Sequence, residues 1–304
     1  MKTPSLSTLA PRFLRVVVRV GFVIGAALLH VFPGASQALD VAGYTDAVNN
    51  RFTSWNSDLS PNSNPGFALA GLDMTGLLWD AQGRSYGALS NQTFIGSHAG
   101  LGAGDTISYW NGSSIGTATI ASSLLLTDPA SASADSELYM YTLTSSLSGV
   151  TALPVLSGGS ASDYEGMQIA MFGQAGRVVI ETLDLLVEVT YDPVLAVAGP
   201  YNSIENELGL DVAGAAQEHP GLYQSGDSNS VVLGFWNGQW GLLGAAWAIT
   251  DPPSPQFSLF NFLPAYVDEI PGTVNYSVLA VPEPGRALLM VCGLTLVVDR
   301  RRRR

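Results

Sequence analysis

The stretch "SGDSNSVVLGFWNGQWGLLGAAWAI", residues 225–249, runs from a polar turn into two apolar segments that Asn237-Gly238 separates. Two β-rich segments joined by Asn-Gly are typical of a β-hairpin, because such a turn needs positive φ at both positions. The polar turn places Ser228 between an acid and an amide. The stretch therefore predicts a hairpin with a candidate serine nucleophile at its entrance.

The body of the chain has the same organisation. A second pair, Asn111-Gly112, predicts another hairpin with a tight turn, and apolar segments such as "ELYMYTL" and "GMQIAMFG" are bounded by turn-forming residues. No convincing amphipathic helix precedes Ser258–Ile270, which we predict as one short helix that closes the domain. Many short strands in a chain of this length favour an all-β barrel or sandwich.

The N-terminal segment combines four basic residues, the apolar run "VGFVIGAALLHVF" and the small residues of "GASQA". This order is typical of a secretory signal peptide, and Ser36 and Ala38 predict cleavage after Ala38. The alternative, a permanent membrane anchor, needs about 20 apolar residues, and this run is shorter. We therefore predict that residues 1–38 direct export through the Sec translocase, so that the mature protein works outside the cytoplasm.

The C-terminal segment joins Pro282-Glu283-Pro284 to an apolar stretch, 287–298, and an arginine run, 300–304. It resembles the PEP-CTERM sorting signal of Gram-negative bacteria in both content and order. Arginines stay on the cytoplasmic side, so the apolar stretch anchors the chain transiently in the inner membrane. The resemblance implies cleavage by an exosortase-type sorting enzyme and delivery to the cell surface or extracellular matrix; a simple tail anchor is the alternative.

The region between the two signals is strongly acidic. Of 13 basic residues only Arg51, Arg84 and Arg177 lie within 39–281, and only two of 25 acidic residues lie outside it, which leaves a net charge of about −20. Such a surface repels nucleic acid, so we predict no nucleic-acid partner. The one cysteine, Cys292, lies in the sorting signal, which excludes disulfides and thiol catalysis from the mature domain.

Motifs for cofactors and metals are missing from the sequence. There is no P-loop, no Gly-x-Gly-x-x-Gly motif opening a helix and no His-Glu-x-x-His, and the carboxylates lack the spacing of an EF-hand. We therefore predict neither a cofactor nor a metal site.

Three short segments resemble the trypsin-like serine peptidases. Gly226-Asp227-Ser228 matches the start of that family's Gly-Asp-Ser-Gly motif, "LSNQTFIGSHAG" matches the strand that ends at the catalytic histidine, here His98, and "ELYMYTL" matches the strand that begins with the acid, here Glu137. The three positions follow the family's order, with separations of 39 and 91 residues. The resemblance spans roughly residues 60–250.

The resemblance implies a double six-stranded antiparallel β-barrel over residues 39–272. A linker, 273–281, then leads to the sorting signal, 282–304. It implies an endopeptidase that acts on protein or peptide substrates.

The implied chemistry needs a neutral imidazole to activate the serine. His98 would accept the proton of Ser228, and Glu137 would hold the imidazole in place, with Asp135 as an alternative acid on the same strand face. The backbone N–H groups of Gly226 and Ser228 would form the oxyanion hole.

Other positions correspond to the family's substrate-specificity pocket or differ from the family's usual residues. Leu222 and Trp247 correspond to the floor and a wall of the specificity pocket, and Leu222 argues against basic substrate side chains. Asn229 replaces the glycine after the nucleophile, Glu137 replaces aspartate, and Ala246 replaces a common serine. These departures leave a second hypothesis open, a catalytically inactive barrel that serves as a structural or binding protein of the surface or matrix.

Overall fold

The computed structural model describes residues 39–97, 100–127, 135–158, 163–183, 185–187, 202–205, 221–249 and 258–281. The predicted signal peptide, 1–38, and the predicted sorting signal, 282–304, lie outside these ranges. A membrane-crossing helix, judged by length and apolarity, is not found within them.

The described residues are mostly β-structure, which confirms the predicted class. The strands, in chain order, are β1 (Asp40–Val41), β2 (Phe52–Ser54), β3 (Asp58–Pro61), β4 (Leu77–Trp79), β5 (Ser85–Ala88), β6 (Thr93–Ser97), β7 (Thr106–Trp110), β8 (Ile115–Thr127), β9 (Asp135–Leu143), β10 (Val155–Ser157), β11 (Gln168–Phe172), β12 (Val178–Thr182), β13 (Leu185–Val187), β14 (Asn202–Glu205), β15 (Gly221–Leu222), β16 (Val231–Trp236), β17 (Gln239–Ile249), β18 (Ser258–Phe262) and β19 (Val278–Ala280). The helical segments are α1 (Asp46–Asn49) and 3-10 turns at Met74–Gly76, Gln174–Gly176 and Leu263–Glu269.

Six antiparallel strands close a barrel in the order β4-β5-β6-β9-β8-β7. Alternate side chains of a barrel strand point inward, and here they form an aromatic core. Phe94 stacks on Tyr141 with ring centroids 4.9 Å apart and meets Tyr86 edge-on at 5.6 Å. All three rings are fully buried. This closed barrel is compatible with a trypsin-like fold.

The later strands form a nine-stranded sheet. Its main path runs β12-β11-β16-β17-β18-β14-β13, and β10 and β19 pair beside it. The two ends of the path, β12 and β13, follow each other along the chain with only Leu183 and Asp184 between them. The sheet therefore begins and ends in one short stretch of sequence.

The hairpin predicted at Asn237-Gly238 is confirmed. Trp236 pairs with Gln239 across a two-residue turn, and both turn residues have positive φ, 48° for Asn237 and 81° for Gly238. Local sequence was sufficient here because the turn itself sets the strand register.

The hairpin predicted at Asn111-Gly112 also forms, but its turn is longer than expected. Trp110 pairs with Ile115, which leaves four residues in the loop. The Asn111 side-chain oxygen accepts backbone hydrogen bonds from Ser113 at 2.9 Å and Ser114 at 2.7 Å. This side-chain bonding stabilises the wider loop in place of a two-residue turn.

The helix predicted over Ser258–Ile270 is wrong for its first part. Ser258–Phe262 is the strand β18, which pairs with β17 on one side and β14 on the other, and a 3-10 segment follows at Leu263–Glu269. Two neighbouring strands satisfy the backbone groups of β18, so tertiary pairing overrides the local pattern.

The segment after β1 is anchored to the barrel by Arg51. Its buried guanidinium donates to the carbonyl oxygens of Leu77 and Leu78, at 2.8 and 3.2 Å, and to Ser85 Oγ at 2.7 Å. Burial lowers the pKa of Arg51 to about 9. These bonds fix the N-terminal segment against β4 and β5.

The barrel and the nine-stranded sheet pack directly against each other through small residues. Gly87 on β5 faces Val231 and Leu242, and a Cβ at Gly87 would collide with the Leu242 side chain. Leu242 and Val231 share a buried cluster with Ile95 of the barrel. The absence of a side chain at Gly87 therefore lets β5 lie close to β16 and β17.

We predict that Gly87→Val lowers the free energy of unfolding by about 1–3 kcal/mol, because the new side chain overpacks this contact. Urea unfolding of both proteins measures the change. Gly272→Val is the matched control, since a Cβ at Gly272 meets no atom within 4 Å. Equal losses in the two variants would contradict the close approach of the two sheets.

Candidate active site

Ser228 is half-buried in the turn between β15 and β16. The Asp227 N–H donates to the Gln224 carbonyl at 3.0 Å and closes this turn. Gly226 has a φ of 102°, and a side chain there would collide with Gln174. The backbone shape of the Gly-Asp-Ser segment therefore favours glycine at position 226, and a side chain there would also force the Gln174 amide to move.

The residues after Ser228 are tied to β17. The Asn229 N–H donates to the Ala246 carbonyl at 2.9 Å, and the Ala246 N–H donates to the Ser230 carbonyl at 2.6 Å. Asn229 has a φ of 82°, a conformation that asparagine adopts more readily than most residues. The loop thus keeps a left-handed residue after the serine even though this residue is not glycine.

The carboxyl group of Asp227 is fully buried beside the serine and accepts three backbone hydrogen bonds. Oδ1 accepts from Leu39 at 3.2 Å and Gln174 at 2.8 Å, and Oδ2 accepts from Gln224 at 2.7 Å. Burial raises the pKa of Asp227 to about 6, although the three hydrogen bonds and the nearby Arg177 lower it. The carboxyl group joins three segments that are distant in sequence.

Both backbone polar groups of Leu39, its N–H and its carbonyl, are hydrogen-bonded to side chains. Its N–H donates to Asp227, and its carbonyl oxygen accepts from Arg177 Nη1 at 2.9 Å. Its side chain is fully buried in a core cluster. The residue that follows the predicted cleavage position, Ala38, is therefore fixed next to the Ser228 turn.

The predicted general base, His98, lies outside the described residues, but both flanking segments are described. Ser97 ends β6, and its Oγ accepts a hydrogen bond of 2.9 Å from Asn261 Nδ2 on β18. Gly100 packs against Asn229, because a Cβ at Gly100 would lie 3.0 Å from Asn229 Nδ2. The chain on either side of His98 thus contacts β18 and the Ser228 loop.

The two candidate acids lie on one barrel strand. Asp135 and Glu137 are part of β9, and their side chains lie outside the described set. Leu138, the residue after Glu137, pairs with Ser97, the residue before His98. The choice between the two acids stays a prediction.

The remaining predicted positions divide between strands and undescribed residues. Leu222 is buried in β15, where it pairs with Asp40, and Trp247 lies at a β17 bulge, its side chain outside the described set. Their roles in substrate binding stay predictions. The sorting motif, Pro282-Glu283-Pro284, also lies outside the described residues.

Three contacts of this region were missed by sequence reasoning. They are Leu39 with Asp227, Asn261 with Ser97, and Asn229 with Gly100. All three join segments more than 100 residues apart and leave no mark in local sequence.

A cavity and a cluster of metal-binding side chains are two other features that could mark a site in the described part of the chain. A depression of about 670 Å³ is lined by uncharged residues of the segments 90–93, 150–152 and 271–275 and of β8 and β9, and none of the predicted site residues lines it. No group of three or more His, Cys, Asp or Glu side chains that could hold a metal is present in these ranges.

Neither a comparison with models of known protein families nor one with curated proteins finds a match to this chain.

We predict that Asp227 makes stability depend on pH while Leu39 is still joined to Ala38. The folded-state pKa of about 6 exceeds the ordinary value of 3.8, so this contribution is fully present below pH 3.8 and is lost as pH rises through 6. The loss is about 3 kcal/mol. Urea unfolding of an uncleaved chain and its Asp227→Asn variant at pH 4 and pH 7 measures it.

The quantity to compare is the difference in unfolding free energy between the two proteins. The wild type should lose stability relative to Asp227→Asn on going to the higher pH. A difference that does not change with pH would contradict the raised pKa of Asp227.

Proposed function

We propose that this protein is an exported trypsin-like serine endopeptidase that hydrolyses peptide bonds through Ser228, His98 and an acid, Glu137 or Asp135. The observation that carries the proposal is the contact of Gly100 with Asn229, because these residues lie two and one positions from His98 and Ser228. Catalysis needs a separation of about 3 Å between imidazole and hydroxyl. The imidazole of His98 can lie this close to the hydroxyl of Ser228 only if the flanking segments also lie close together, as Gly100 and Asn229 do.

We also propose that the nine-stranded sheet is the second barrel of a trypsin-like pair. Support comes from its path, whose ends are the consecutive strands β12 and β13. If β12 and β13 act as one strand, β11 and β14 become its two neighbours and the path closes. The candidate site then lies where the two barrels meet.

In the proposed reaction, Ser228 Oγ attacks the substrate carbonyl carbon while His98 accepts the hydroxyl proton. The carbonyl electrons move to oxygen, and the N–H groups of Gly226 and Ser228 stabilise this oxyanion. Collapse breaks the C–N bond, and His98 gives its proton to the leaving amine. Water then attacks the acyl-enzyme ester with His98 as base, which releases the acid product and restores Ser228.

We propose that export makes the new N-terminus part of the site. Cleavage after Ala38 would turn the Leu39 N–H into an ammonium group beside the buried Asp227. An ion pair there would lower the pKa of Asp227 and remove the cost of burying a lone carboxylate. Because Asp227 precedes Ser228, this pair would stabilise the nucleophile turn.

The proposed route after export follows the resemblance at the C-terminus. An exosortase-type enzyme would cleave near Pro282-Glu283-Pro284 after transient anchoring in the inner membrane, and the product would reach the cell surface or the matrix. The described chain reaches Val281, and its last strand, β19, pairs with β10, so the folded part extends to the motif.

A catalytically inactive barrel with a structural or binding role is the second candidate function. It is favoured by Asn229, whose buried amide occupies a position that is glycine in the resembling family. A structural role would also tolerate Ala246 and Glu137 in place of the usual serine and aspartate.

We predict that a fluorophosphonate probe labels Ser228 of the exported protein, which begins at Leu39. Ser228→Ala should abolish labelling because it removes the nucleophile, and His98→Ala should slow it by roughly 100-fold or more because general-base catalysis is lost. Mass spectrometry of the labelled peptide measures both. Absence of labelling in protein with native circular dichroism would overturn the enzyme proposal and favour the inactive barrel.

We predict that a free amino group at Leu39 accelerates this labelling. A chain with one extra residue before Leu39 should react about 10- to 100-fold more slowly, because the turn loses the buried ion pair and shifts. Asp227→Asn is the matched control, since the extension should have little effect when the carboxylate is absent. Equal rates for the two N-termini in the wild-type background would contradict this role of export.

A further inference from the structure

Asn229 places a polar side chain at the most confined part of the Ser228 loop. It is fully buried, and neither Nδ2 nor Oδ1 has a hydrogen-bond partner among the residues that the structure describes. An unpartnered buried amide destabilises a protein by about 1–3 kcal/mol. A side chain kept at such a cost calls for a physical reason.

The side chain of Asn229 reaches from the Ser228 loop to the segment that follows His98. A Cβ added to Gly100 would lie 3.0 Å from Asn229 Nδ2 and 3.8 Å from Arg84 Nη1. The glycine at position 100 therefore leaves the space that the amide fills. Arg84 also borders the space at Gly100, and it is itself held by Asp80, whose carboxylate accepts from its Nε at 2.6 Å.

The backbone of Asn229 is equally fixed. Its N–H donates to the Ala246 carbonyl at 2.9 Å, and its φ of 82° places its backbone in the left-handed region. One residue thus has its main chain bonded to β17 and its side chain in contact with Gly100. It joins the nucleophile loop to the histidine segment without a covalent link.

We infer that Asn229 is a positioning residue that sets the distance between the Ser228 loop and the segment after His98. The inference rests on the proposed function, since it concerns how that site is held together. The amide fills the gap between the Ser228 loop and Gly100. Without the side chain, we expect the loop to relax toward Gly100, which would move Ser228 relative to the segment that carries His98.

The space between Gly100 and Asn229 allows a size-exchange experiment in the exported protein, which begins at Leu39. The variants are Asn229→Gly, Gly100→Ala and the two together, each measured by fluorophosphonate labelling rate and urea unfolding. Asn229→Gly should slow labelling about 10- to 100-fold, because it lets the loop shift by about an ångström. Gly100→Ala should also slow it, because the methyl group crowds the amide.

The double variant should label faster than either single variant, because the methyl group at position 100 occupies part of the vacated space. Rescue of this kind is a coupling between two contacting residues, which independent structural damage does not produce. If wild type is labelled and the effects of the two substitutions simply add, the positioning role is overturned while the proposed function stands. If wild type is not labelled, both are overturned.

Asn229→Asp tests the inference through the pH midpoint of labelling, which would not change if the Asn229 side chain only stabilised the fold. It retains the shape of the side chain and its tolerance of positive φ, but it adds a carboxylate, which under this inference lies near the imidazole. The pH midpoint of labelling should therefore rise, because a neighbouring negative charge favours the protonated imidazole. Asn111→Asp, in the exposed β7–β8 loop, is the matched control and should leave the midpoint unchanged; equal midpoints in all three proteins would overturn the inference.

Discussion

The buried carboxyl group of Asp227 is the interaction on which the rest of the site depends. It accepts backbone hydrogen bonds from Leu39, Gln174 and Gln224, and so joins the N-terminal segment, the β11–β12 turn and the nucleophile turn. A buried carboxylate is tolerated when hydrogen bonds satisfy it, and each of these donors fixes a different segment. Because Asp227 and Ser228 are adjacent in the chain, fixing the carboxyl group of Asp227 also fixes the position of Ser228.

The second constraint is close packing between the barrel and the nine-stranded sheet. Gly87 has no room for a side chain beside Leu242, and Gly100 has little beside Asn229. Where backbones approach this closely, the few polar side chains between them must be buried. Ser97 and Asn261 bond to each other there, whereas the amide of Asn229 lacks a hydrogen-bond partner within the described ranges. The same packing brings the ends of β6 and the Ser228 loop together.

The predictions were correct or nearly correct where neighbouring residues in the sequence determine the structure of a segment, and they failed where distant residues determine it. The Asn237-Gly238 hairpin was correct because two residues fix both the turn and the register. The Asn111-Gly112 loop was longer than expected because Asn111 bonds to Ser113 and Ser114. Residues 258–262 form a strand instead of a helix because β14 and β17, distant in sequence, satisfy their backbone groups.

The sequence by itself determined the mostly β class, the hairpin after Ser228 and the preference for glycine at position 226, because these follow from alternation and backbone sterics over a few residues. Tertiary structure alone decided the barrel's strand order and the contacts of Asp227 with Leu39, of Asn261 with Ser97 and of Asn229 with Gly100. These contacts join segments more than 100 residues apart. They form because close packing and the burial of polar groups act on the whole folded chain, and no local pattern encodes which distant residue becomes the partner.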